Sequence, residues 1–185
     1  DSSVAAALLK KQGYDVFGVF MRFWASSKIT RINAESRGSE NKCCSIESYH
    51  DALAVADKLG IKLYTFNFEK EFKKEVVDYF TKSLKKGETP NPCVVCNKEI
   101  KFKLLLEKIS KLGGDYVATG HYACIARKKQ ETRNKKQVLR LLCAKDDAKD
   151  QSYFLWTIKQ KQLAKFLFPV GGYTKPEVRK MAEDF

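Results

Sequence analysis

No run of about 18 apolar residues occurs anywhere in this 185-residue chain, which excludes a transmembrane helix. Asp1-Ser2-Ser3 leads into a short apolar stretch that Lys10-Lys11 soon breaks, so no secretory signal peptide is expected. Internal repeats and low-complexity tracts are missing as well. Acidic residues are scarce: 22 Asp and Glu face 35 Lys and Arg, for a formal net charge of +13. Such a surplus points to a polyanionic partner, most simply nucleic acid, or to a soluble basic protein from a lysine-biased proteome. The chain is nonetheless 44% apolar and 12% aromatic, enough to bury a core. Its length suits roughly one domain, with room for an appendage.

Six cysteines stand at positions 43, 44, 93, 96, 124 and 143, in a chain too long to depend on a disulfide scaffold. With no signal peptide, a reducing, cytoplasmic setting without a membrane is expected. The thiols are then candidates for catalysis, redox chemistry or metal binding. A second Cys-x-x-Cys is lacking, and the adjacent Cys43-Cys44 is a poor spacing for two ligands on one zinc.

What is present alternates between helix and strand. Asp1-Ser2-Ser3 reads as a helix cap, followed by apolar residues to Leu9 and a stop at Gly13. Asp15–Met21 reads as a buried strand. Ile46, Tyr49, Leu53, Ala56 and Leu59 recur at helical spacing, and residues 61–68 alternate as a strand. Phe72, Val76, Phe80 and Leu84 mark a further helix, and Phe102, Leu105, Ile109 and Leu112 another. Residues 115–120 are again strand and turn. Repeats of this length imply right-handed crossovers and a parallel sheet with helices on both faces, an α/β domain. A helix cap at the first residue, and a capping-box helix beginning at Thr174 and still running at Phe185, suggest a fragment. Residues 22–44 read as a long polar loop. Residues 127–136, with six bases in ten positions, read as the tip of a β-hairpin. That tip is either a solvated turn or a contact to a phosphate backbone.

In an open parallel sheet, ligands bind where strand ends meet helix starts. Asp1-Ser2-Ser3 stands at such a place, where hydroxyls and N–H groups would hold phosphate; alone it is also a good N-cap. Met21 would lie beside a bound base or fill the core. Gly120 permits close backbone approach to a ligand, and His121 is either a hydrogen-bond donor or structural. More telling is Thr89-Pro90-Asn91-Pro92-Cys93-Val94-Val95-Cys96-Asn97. The prolines hold an extended segment that delivers Cys96 to a helix start, where the helix field, strengthened by Lys98 and Lys101, favours a thiolate. Redox pair, half a metal site and catalytic thiol all remain open. Lys149-Asp150-Gln151-Ser152 precedes the aromatic run 153–156, which on its own reads as a helix burying its aromatics.

Taken together, these residues resemble the bacterial-type tRNA-specific 2-thiouridylases. Asp1-Ser2-Ser3-Val4 is similar to the tail of that family's ATP-pyrophosphatase loop, Ser-Gly-Gly-Val-Asp-Ser-Ser. Gly18–Met21, Cys43-Cys44-Ser45, Thr89–Phe102, Ala118–Ala123, Lys149–Leu155 and Phe168–Gly172 follow in family order. The resemblance implies a Rossmann-like adenine nucleotide α-hydrolase fold. It implies a catalytic ATP-pyrophosphatase-type domain over 1–158, lacking its first strand and part of the phosphate loop. Residues 159–185 would be its helical end or the start of a central domain, and the family's C-terminal β-barrel would not be part of this sequence. The implied reaction is ATP- and Mg²⁺-dependent 2-thiolation of the tRNA wobble uridine, by adenylation of the uracil C2 oxygen and sulfur transfer from a cysteine persulfide. A sulfur-donor protein would feed that relay. Residue by residue, Cys96 would be a catalytic cysteine, its partner lying in a downstream segment. Asp1, also placed among the catalytic residues, would bind ATP together with Ser2, Met21 and Gly120. Asn91, Pro92 and Cys93 would face the target base, and His121, Lys149, Asp150 and Gln151 would contact tRNA. Many members carry Asp at the position of Cys93, and a cysteine here opens an iron–sulfur alternative in which Cys93, Cys96 and a downstream cysteine hold a cluster. Other readings are a different ATP-pyrophosphatase-type tRNA-modifying enzyme, or a non-catalytic RNA-binding module with a Cys-bound metal.

Overall fold

A computed structural model describes residues 1–23, 46–129 and 137–185. Cys43, Cys44, most of the expected long loop and the basic tip at 130–136 lie outside the described residues. The chain forms two compact units, Asp1–Tyr14 with Asn91–Phe185, and Asp15–Pro90.

The second of these holds β1 (Gly18–Arg22), α2 (Ile46–Leu59) and β2 (Leu63–Asn67). β1 and β2 pair in parallel, with Gly18 opposite Leu63 and Met21 opposite Phe66. After β2, α3 (Glu69–Phe72), a π-helical stretch (Lys73–Val77) and α4 (Asp78–Lys85) make one helical run. Strand, crossover and parallel strand follow the order that the alternating pattern predicts.

The other unit begins with α1 (Ser2–Lys11), whose alanines and leucines are strong helix formers. Lys10 and Lys11 close its last turn, where cations complement the helix dipole. Gly13, at φ +87°, takes the left-handed conformation that ends it. α1 buries Val4, Ala5 and Leu8 in a core with Tyr122, Ala144, Val170 and Val178. Val178 belongs to α8 (Lys175–Asp184), so the last helix shares a core with the first. Between them, α5 (Pro92–Val95), a π-helical stretch (Cys96–Leu104) and α6 (Leu105–Lys111) form a second continuous helical run. β3 (Val117–Ala118) pairs in parallel with β6 (Phe166–Leu167), just after the short α7 (Gln160–Leu163). β4 (Cys124–Lys129) and β5 (Gln137–Leu142) form the expected antiparallel hairpin. One expectation fails. The aromatic run forms a 3₁₀ turn at Ser152–Leu155, which buries Leu155 but leaves Tyr153 and Trp156 63% and 67% exposed. With three residues per turn, Tyr153 and Trp156 stand on one side, toward solvent, while Leu155 turns inward.

Candidate functional site

Asp1 occupies the N-cap of α1, yet its side chain makes no capping hydrogen bond. Its Oδ1 instead accepts from the Tyr122 hydroxyl at 2.9 Å and the Lys175 ammonium at 2.6 Å. The first-turn N–H groups of a helix have no partner within it, and here the Asp1 side chain does not take them. Ser2 and Ser3 are exposed at the same end. Uncapped donors and two hydroxyls at the positive pole of a ten-residue helix are what a phosphate needs. Gly120 lies against this end: a Cβ there would stand 2.5 Å from the Ser2 nitrogen and 2.7 Å from the Asp1 carbonyl carbon. Its lack of a side chain lets the protein's own backbone approach the start of α1.

The cysteine segment is set by Asn91, whose side-chain oxygen accepts from the Val94 N–H at 3.2 Å, and by Pro92 in the first turn. The helix therefore starts at Pro92, not at Cys96 as the sequence suggests. Cys93 is exposed in the first turn, where the dipole is strongest, and Cys96 is half-buried one turn on. Cys96 opens the π-helical stretch, a form that recurs at functional sites. The expected help from Lys98 is reduced, because Lys98 pairs with Glu99 at 3.0 Å, and Lys103 reaches the same carboxylate at 3.4 Å. The side-chain bond from Lys98 is the main reason that Glu99 titrates below its ordinary range. Buried Asn97, the next residue along, donates from its amide to the Phe154 carbonyl at 3.4 Å. That bond joins the cysteine helix to the turn following Lys149-Asp150-Gln151.

Within that turn the polar atoms work inward. Asp150 accepts from the Ala144 N–H at 2.8 Å and from the Ser152 hydroxyl at 2.6 Å. Gln151 clamps the Tyr122 backbone, accepting its N–H at 3.0 Å while the Gln151 N–H donates to the Tyr122 carbonyl at 2.8 Å. Lys149 is exposed. His121 is half-buried, its Nδ1 2.8 Å from the Thr119 hydroxyl, with Phe102 and Phe168 rings 6.0 and 6.4 Å away. Burial, with a further push from the charge of Lys101, lowers its pKa to about 4, so it is neutral near pH 7.

A family model described as "tRNA methyl transferase HUP domain" matches residues 1–185. The chain belongs to this HUP-domain family. Its fold is accordingly the Rossmann-like α/β class of adenine nucleotide α-hydrolases. The chain is 50% identical over 184 residues to a tRNA-specific 2-thiouridylase MnmA of Limosilactobacillus reuteri, covering all of this chain and 45% of the relative. It is 48% identical over 185 residues to the protein of that name in Geobacter metallireducens, of which it covers 48%. A Streptococcus agalactiae protein of the same name is 48% identical over 184 residues, with 45% of it covered. The chain thus spans just under half the length of these curated relatives.

In this HUP domain one unit brings together Asp1, Ser2, Gly120, His121, the Asn91–Cys96 segment and Lys149–Gln151. Met21 is half-buried on β1 of the other unit. No helix among the described residues is long and apolar enough to cross a membrane. Sequence reasoning passed over Asn97, Thr119 and Lys175. Only Asn97 carried a signal, as an amide on the apolar side of a helix. No group of three or more His, Cys, Asp or Glu suited to a metal occurs among the described residues. Cys93 and Cys96 offer two thiols where an iron–sulfur cluster takes four ligands, so these residues do not fit a cluster by themselves. Mg²⁺ needs only one or two carboxylates beside substrate phosphates. Asp1 is the carboxylate at this helix start, and its Oδ1 is already engaged.

Proposed function

We propose that this chain is the catalytic domain of an ATP-dependent enzyme that 2-thiolates the wobble uridine of tRNA. Residues 1–158 form the nucleotide-binding body of that domain, and residues 159–185 are its helical end. The carrying observation is that a single unit holds an uncapped helix start fit for phosphate and a cysteine helix tied by Asn97 to the Lys149–Ser152 turn. The names of the relatives support the same chemistry, and a buttressed thiol suits sulfur transfer better than methyl transfer.

In this reading ATP, with Mg²⁺ on its phosphates, adenylates the uracil C2 oxygen and releases pyrophosphate. The outer sulfur of a cysteine persulfide then displaces AMP, and Cys96 attacks the carrier's inner sulfur, forming a disulfide and freeing the thiouridine. Ser2, Ser3 and the first-turn N–H groups of α1 hold phosphate oxygens, and Gly120 borders the adenosine. Asn91, Pro92 and Cys93 frame the target base. Asn91 does so through the segment that it caps, since its oxygen is committed to Val94. Cys96 is this chain's catalytic thiol. Its partner, the persulfide carrier, belongs to the downstream part of the enzyme and is charged by a sulfur-donor protein. Neutral His121 meets tRNA as a hydrogen-bonding group rather than as a cation. Lys149 meets the phosphate backbone, and Asp150 and Gln151 shape the turn that presents it. The working compartment is the cytoplasm.

The test is pyrophosphate release from ATP by the full-length protein. The reading expects release that depends on tRNA bearing an unmodified wobble uridine. Release that is indifferent to such tRNA would count against it.

A further inference from the structure

Asp1 is a residue type that ordinarily caps a helix, at the position where it ordinarily does so, yet it does not cap. Lys175 and Tyr122 hold its Oδ1 instead, at 2.6 and 2.9 Å. Neither is a stray surface contact. Tyr122 is 3% exposed, and the Lys175 ammonium stands 5.8 Å from its ring centroid. Lys175 is the first residue of α8, and its own N–H donates to Asp146 at 2.8 Å. The start of α8 is fixed further by the Thr174–Glu177 capping box and by the Lys145 ammonium on Glu177 at 2.9 Å. Val178 then buries that helix in the core that α1 enters. The lysine is thus delivered to Asp1 from 174 residues away by a braced element.

We infer that Lys175, assisted by Tyr122, is a positioning residue for the nucleotide site. It holds the Asp1 carboxylate off the cap, so the first-turn N–H groups of α1 stay open to phosphate. Released from Lys175, Asp1 has the N2 and N3 N–H groups as its natural partners, and ATP would have to displace it from them. The inference rests on the reading of the α1 start as the phosphate site.

The experiment measures ATP affinity, tRNA affinity and melting temperature in the full-length protein. Its variants are Lys175→Met, Lys175→Arg, Asp1→Ala, the Asp1→Ala/Lys175→Met double, and Ser2→Asp. Lys175→Met should weaken ATP binding by about five- to tenfold, the scale of one cap interaction, with tRNA affinity unchanged. Lys175→Arg should restore most of it. In the Asp1→Ala background Lys175→Met should add less than about twofold, because the restrained carboxylate is gone. A full loss on that background would overturn the proposal, since Lys175 would then act on ATP itself. Equal losses of ATP and tRNA affinity with a lower melting temperature, unrescued by Arg, would overturn it as well, leaving a purely structural lysine. Indifference to Lys175→Met beside a strong loss in Ser2→Asp would refute the role of Lys175 alone. Indifference to both would refute the phosphate-site reading beneath it.

Discussion

A methyl group added at Gly120 meets the backbone of Asp1 and Ser2, whereas one added at Gly171 meets the Ala123 carbonyl. Neither neighbour is a flexible side-chain end that could move aside. Gly120→Ala should therefore displace the start of α1 and weaken ATP binding at least tenfold, read by titration calorimetry. Gly171→Ala should act as overpacking, lowering stability by about 1–3 kcal/mol in denaturant unfolding. His121 makes a claim about pH. Its folded pKa of about 4 lies below the ordinary 6.5, so between those values the unfolded chain binds more protons. Its contribution is complete above about pH 6.5 and fades as pH falls toward 4, amounting to roughly 2–3 kcal/mol. Unfolding midpoints followed from pH 7 to 4 should drop in the wild type and flatten in His121→Gln. The sequence marked His121 as either donor or structural. Its neutrality could not be read there, because it depends on Phe102 and Phe168 closing over it from distant positions.

The cysteine helix shows how an element is aimed. Asn91 and Pro92 start it, both legible in the Asn-Pro-Cys motif because capping and proline rules are local. The motif did not show that the helix begins four residues before Cys96, since extended prolines and a proline in the first turn read alike. The bond from Asn97 to Phe154 spans 57 residues and escapes any local pattern. Asn97→Ala should leave the Phe154 carbonyl unpaired in a buried setting and lower stability by about 1–3 kcal/mol. It should also lower kcat for thiolation more than it raises KM for ATP, because it loosens the cysteine helix and leaves the α1 start alone. Steady-state kinetics separates the two. The aromatic run misled because its spacing fits a helix, while the chain spends only one 3₁₀ turn there.

For the whole molecule, the strand–helix alternation and the parallel pairing of β1 with β2 were readable because they rest on local periodicity and a short crossover. In contrast β6, a two-residue strand that pairs with β3 from 49 residues away, left no periodic signal. The shared core of α1 and α8 was not readable either, since it joins the two ends of the chain. The +13 charge named a class of partner, and the proposed enzyme makes that partner tRNA. Binding of tRNA should weaken steeply with salt, and Lys149→Ala should reduce the slope of log K against log salt by about 1 if this lysine meets one phosphate. The central claim is that Cys96 is the thiol this domain brings to sulfur transfer. Nucleosides from a strain lacking the gene, complemented with full-length wild type or Cys96→Ser, test it directly by mass spectrometry. The account predicts wobble 2-thiouridine with the wild type and none with Cys96→Ser, although that variant still binds ATP and tRNA. Equal 2-thiouridine from both would contradict it.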